Sequence, residues 1–153
     1  MFNKILVPLD GSELAEKAIV EAKKLATYFE AELHFLRIYT REQALADPNT
    51  PFDTYHLVVV TSEEVKKRAV AYLETVKTKL SEANLVVRTH AVESNERVGK
   101  AVADYAAAND IELIVMTSHG YTGFRRLIMG SVTTETLQNA QCPVMVVPSF
   151  EED

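Results

Sequence analysis

At 153 residues the chain has the size of one domain with room for a real core, and 47% hydrophobic with 25% charged residues is ordinary for a globular protein. The formal net charge of −6 argues against a general nucleic-acid or anionic-membrane binder, while leaving room for a local anion site. No apolar run approaches the roughly 20 residues that span a bilayer, and a single cysteine, Cys142, allows neither an internal disulfide nor a cysteine-pair zinc site.

Met1 to Leu9 enters a strand directly, without a signal-peptide pattern, so a cytoplasmic location is expected. Lys4 to Leu9 reads as a short buried strand whose end is marked by Pro8, which cannot donate to a ladder. Asp10-Gly11-Ser12 turns the chain, with Ser12 placed to cap the following helix. Leu14, Ala18, Ala22, Leu25 and Phe29 recur at spacings of three and four and predict a helix over 13–29. Glu32 to Tyr39 is the second strand. Residues 41–60, with Asp47-Pro48-Asn49-Thr50-Pro51, read as an insertion of unassigned shape. Thr61 and Glu64 match a capping box ahead of a helix running to about Ala83. A third strand is expected over Leu85 to Val92. A third helix follows, capped by Ser94 or Asn95, with Val98, Val102, Tyr105 and Ala106 on its inner face.

Leu113 to Met116 is short, apolar and β-branched, the pattern of a strand buried on both faces of a parallel sheet. It stops at Thr117-Ser118-His119-Gly120. Nine residues separate Gly120 from Gly130-Ser131, which opens a helix to about Gln138. Glycine admits close backbone approach, and free N–H groups at a helix start attract anions. The two glycine turns therefore have the form of a phosphate cradle; a plain βα turn with a helix cap accounts for them equally well. Pro143 to Val147 is the fifth strand, and Ser149 to Asp153 a frayed acidic tail. Alternating β-α units predict an α/β fold: one doubly wound parallel sheet with helices on both faces and ligands beyond the carboxyl strand ends.

The segments KILVPLDGSELAEKAIVEAKKLA, IELIVMTSHG, the spaced GS and CPVMVV resemble the universal stress protein family over nearly the whole chain apart from 41–60. The resemblance implies a universal stress protein domain over 1–148 with a tail at 149–153, a five-stranded sheet ordered 3-2-1-4-5, and homodimers through the fifth strand. It also implies ATP as ligand, with Mg2+ carried on the phosphates, in a sensor or regulatory module of the stress response. The nucleotide-binding branch carries G-x-x-G, nine residues, then G-S or G-T. Here Gly120, Gly130 and Ser131 match, while Thr117 stands in the place of the first glycine.

By that resemblance Asp10 touches the adenine or ribose, with Pro8 and Leu9 beside it, Ile38 meets the base, and Met116 belongs to the same site. Thr117, Ser118, His119 and Gly120 bracket the ribose and phosphates, and Gly130, Ser131, Val132 and Thr133 meet the phosphates through N–H groups and hydroxyls. Each residue also has a plain reading: Asp10 as a turn aspartate bonding its own backbone, Ile38 as core, Ser131 as an N-cap, His119 as a loop histidine. Arg125 and Arg126 are either a phosphate screen or a solvated basic pair. His34, His56 and His90 read as isolated, and Cys142 as a half-buried residue without nucleophilic work. No base and no GxxxxGK[ST] lysine points to an enzyme. The competing readings are a dimeric interaction module without nucleotide, a slow ATPase, and AMP or a cyclic nucleotide in place of ATP.

Overall fold

The computed structural model describes residues 1–40, 62–80, 84–118 and 129–149. Their order is β1 (Lys4–Pro8), α1 (Glu13–Phe29), β2 (Glu32–Tyr39), α2 (Ser62–Thr78), β3 (Val87–Glu93), α3 (Val98–Ala108), β4 (Leu113–Thr117), α4 (Ser131–Asn139) and β5 (Val144–Val147). The strands form one parallel sheet in the order β3-β2-β1-β4-β5, as the family resemblance implied.

Strand alternation sends odd and even side chains to opposite faces. Ile5, Val7, Leu33, Phe35, Leu113 and Val115 pack with α1 and α2, while Leu6, Leu36, Ile38, Ile114 and Met116 pack with α3 and neighbours of α4. The central strands therefore carry apolar residues on both faces, and all five residues of β4 are buried. β3, at an edge, has mostly half-buried residues.

Helix α1 has the predicted bounds, but its buried stripe is Ala15, Ala18, Ile19, Ala22 and Ala26, with Leu14, Leu25 and Phe29 at its margins. Small residues at the centre let the helix lie close on the sheet, and the larger ones close its sides. The chain leaves α1 through Glu30 in the left-handed region at φ 56°, and Ala31 N–H returns to Ala26 carbonyl at 2.9 Å. The ladder between β1 and β2 passes Pro8 and is resumed by Leu9 N–H on Leu36 carbonyl at 2.8 Å.

Two expected caps differ. Helix α3 starts after Arg97 without a side-chain cap, because Ser94 instead turns back on its own chain and accepts from Glu96 N–H at 3.1 Å. At α4 the N-cap is Gly130, so Ser131 is the first helical residue and caps nothing. Thr61 and the end of the second helix at Ala83 lie outside the described residues, as does the 41–60 insertion.

Candidate functional site

Strand β1 pairs with β2 on one side and β4 on the other, so the sheet order reverses beside it. The carboxyl ends of these strands bring Pro8, Leu9, Asp10, Ile38, Met116, Thr117 and Ser118 to one edge, and α4 begins there with Gly130. His119 and Gly120 lie outside the described residues, and so do Arg125 and Arg126.

Several bonds tie this edge together. Gly130 N–H donates to Ser118 carbonyl at 2.8 Å, tying the start of α4 to the end of β4. Ser118 N–H donates to Val147 carbonyl at 3.0 Å, and the Ser118 and Ser149 hydroxyls are 3.1 Å apart. Ser149 is thereby anchored and not frayed, whereas 150–153 lie outside the described residues. Thr133, 2% exposed, gives its hydroxyl proton to Thr117 carbonyl at 2.9 Å. What Thr133 can still give a ligand is its backbone N–H.

The site residues separate by face. Ile38 and Met116 belong to the cluster under α3, and Val132 packs on the same cluster. Leu9 is buried in the opposite cluster, and Thr117 follows Leu113 and Val115 onto that α1 side. Asp10 is exposed; its Oδ1 accepts from Ser12 N–H at 2.8 Å and from Ser12 hydroxyl at 2.5 Å. The turn-aspartate geometry is thus present, and Asp10 still faces solvent at the edge.

Among the described residues the start of α4 is bare. A helix leaves its first N–H groups without intrahelical partners; the N-cap, Gly130, has no side chain to offer them, and no acidic residue occupies the first turn. The positive end of the helix dipole is then directed at the edge where Ser131 is exposed. Among the described residues no group of three His, Cys, Asp or Glu is arranged to hold a metal ion. Cys142 is half-buried, and that burial pushes its thiol above the ordinary value, against nucleophilic use.

Two positions near the site escaped sequence reasoning. Gly11, at φ +90°, lies under Arg37, whose Nη1 a Cβ there would approach to 2.8 Å. Among the described residues that buried Nη1 has no hydrogen-bond partner; the guanidinium rests over the Tyr72 ring at 5.3 Å. Gly99 of α3 is crossed so closely by α4 that a Cβ would lie 2.4 Å from Glu135 Cβ and 2.6 Å from Val132 carbonyl. No local pattern signals either contact, because each joins segments far apart in the chain.

A glycine-bearing βα edge on a 3-2-1-4-5 sheet is matched by known proteins over its full extent. The pattern of the universal stress protein family matches residues 1–148. The chain belongs to this family. Universal stress protein YxiE of Bacillus subtilis is 32% identical over 150 residues, covering 96% of this chain and 99% of its own. Among solved structures, MJ0577 superposes with a TM-score of 0.80 at 24% identity over 99% of both chains; it is the universal stress protein MJ0577 of Methanocaldococcus jannaschii. A universal stress protein in complex with cAMP follows at TM-score 0.69 and 18% identity, covering 97% and 99%. The same fold holds dAMP in the Archaeoglobus fulgidus protein (TM-score 0.65, 15% identity, 95% and 97% covered) and AMP in an Arabidopsis thaliana member (0.61, 14%, 95% and 91%).

Proposed function

We propose that this universal stress protein binds an adenine nucleotide, ATP by the family motif, where the carboxyl ends of β1, β2 and β4 meet α4, and acts as a dimeric sensor or regulatory module. The observation that carries the reading is the start of α4: among the described residues no side chain caps the N–H groups of Ser131, Val132 and Thr133, no acid stands in the first turn, and the dipole's positive end lies at the switch-point edge. Gly130 leaves that backbone approachable. Ile38 and Met116, on one face with Val132, offer an apolar bed for a base. Asp10 and Pro8 flank it, and Ser118 stands on the ribose side; by the family motif His119 and Gly120 belong to the same site. Neighbours of this fold that carry AMP, dAMP and cAMP support the adenine ring as the common element.

Thr117, the departure from the motif, has its side chain on the α1 face, away from Ile38 and Met116. The crevice therefore meets its backbone, which supports binding despite the missing glycine. Mg2+ would be held by the phosphates and would neutralise their charge there. The edge strand β5 carries Met145, 37% exposed. An apolar edge of this kind favours pairing with its own copy in a closed two-fold dimer.

The deciding experiment denatures freshly purified protein and weighs the released small molecules by mass spectrometry. An adenine nucleotide near one per chain is expected, and its mass reads the phosphate count. An empty supernatant, together with no rise in melting temperature on adding ATP, AMP or cAMP with Mg2+, would overturn the reading.

A further inference from the structure

His34 and His90 are not isolated. They stand on the neighbouring strands β2 and β3, where His34 faces Arg88 in the register and Leu36 faces His90. Nδ1 of His34 lies 3.1 Å from Nε2 of His90, the ring planes differ by 7° and the centroids are 5.3 Å apart. With the two nitrogens between the centroids, these values describe imidazoles joined edge to edge by an N–H···N hydrogen bond, not a stack. The other nitrogen of His34, Nε2, is 3.2 Å from Glu32 Oε2, and Arg88 holds Glu32 through two bonds of 2.9 and 3.2 Å. His34 is 5% exposed, and His90 leans on the Tyr105 ring of α3 at 5.4 Å.

An N–H···N bond has one proton between two nitrogens. With both rings neutral, His90 donates to His34, which gives its remaining N–H to Glu32. One added proton is also accommodated: a charged His34 then donates to Glu32 on one side and to His90 on the other. A second is not. Two N–H groups would point at each other across 3.1 Å, with the charges of Lys4 on β1 and Arg88 on β3 adding to the repulsion. Glu32 on β2 opposes it, and α3 faces the pair with the neutral phenol of Tyr105.

We propose that the His34–His90 pair is a proton-counting latch on the edge strand: it holds β3 to β2 while it carries at most one added proton, and opens when both rings are charged. The sheet pairing makes the opening local, because among the described residues β3 has a strand neighbour on one side only. Burial is the main cause holding both histidines below the ordinary value of 6.5; Glu32 pulls His34 back upward, and the charge of His34 further depresses His90. The opened or unfolded strand takes up protons at ordinary values, so it gains more protons on acidification than the closed one. Stability from the closed latch is therefore full above about 6.5 and is lost as pH falls toward the folded values. Each proton withheld makes opening about tenfold easier per pH unit.

The test follows the imidazole ring protons of the full chain by NMR through pH and measures amide exchange, corrected for its intrinsic rate, at about pH 7.5 and about pH 5.5. Two coupled titration steps are expected, the second well below an ordinary histidine. The opening constant of β3 amides should rise at least tenfold between the two pH values while β1 and β4 stay protected. His90→Gln keeps a hydrogen-bonding group that cannot charge, and should remove the rise. Two independent titrations at the ordinary value, or β3 protection unchanged by pH in the wild-type chain, would overturn the proposal without any variant; so would an undiminished rise in His90→Gln.

Discussion

Helices α1 and α4 begin at the same edge of the sheet, on either side of the reversal in strand order, and finish their first turns in opposite ways. The start of α1 is saturated: Ser12 hydroxyl accepts Ala15 N–H at 3.1 Å and gives its own proton to Asp10, and Glu13 and Glu16 stand in the first turn. Cap and acids answer both the orphan N–H groups and the dipole from within the chain. The start of α4 has Gly130 in the cap position, no first-turn acid, and a threonine, Thr133, whose proton is turned inward to Thr117. The chain at α1 satisfies its own helix start, whereas among the described residues no side chain answers the start of α4. This contrast is the ground for proposing different roles for the DGS and MGS turns.

The largest expected effect comes from filling the bare start. Gly130 sits at φ −59° and ψ 155°, which valine can adopt, so Gly130→Val should keep the fold while its branched side chain blocks ligand approach. Nucleotide affinity, read by calorimetry, should fall at least about 100-fold with the melting temperature near wild type. Ser12→Ala at the saturated start is the counterpart, and should cost about 1 kcal/mol of stability with affinity unchanged. Equal losses of affinity in the two variants would erase the distinction.

Next comes Gly99→Ala, which tests whether α4 owes its position to its contact with α3. Its Cβ has no room against Glu135 and Val132. We expect about 1–3 kcal/mol of destabilisation in denaturant titration, together with weaker nucleotide binding as α4 is pushed away. The smallest effect on binding is expected for Thr117→Gly. Removing a buried side chain and loosening the backbone should cost about 1–2 kcal/mol, yet affinity should stay within about threefold, since the side chain lies on the α1 face. A large gain in affinity would instead mean that the threonine crowds the nucleotide.

These positions also show where sequence reading reaches and where it stops. Periodicity and a serine cap are local, and α1 came out with its bounds intact. So did β2, whose apolar run ends at Tyr39. Caps were misjudged for two different reasons: Ser94 has a rival partner within its own turn, and Ser131 lies one residue inside its helix. Resemblance supplied the strand order, because no local pattern says which strands pair. Contacts between distant segments left no trace in the sequence at all. Nothing at position 34 announces a hydrogen bond to position 90, and nothing around Gly99 announces the helix that crosses it.

The bond from Gly130 N–H to Ser118 carbonyl has a consequence for how such proteins diversify. It joins the residue after β4 directly to the N-cap of α4, so the placement of these two elements is held by a contact of their own. Sequence change between positions 118 and 130 is then expected to leave the register of β4 and the entry to α4 in place. The core beneath can be inherited unaltered while the positions between them vary.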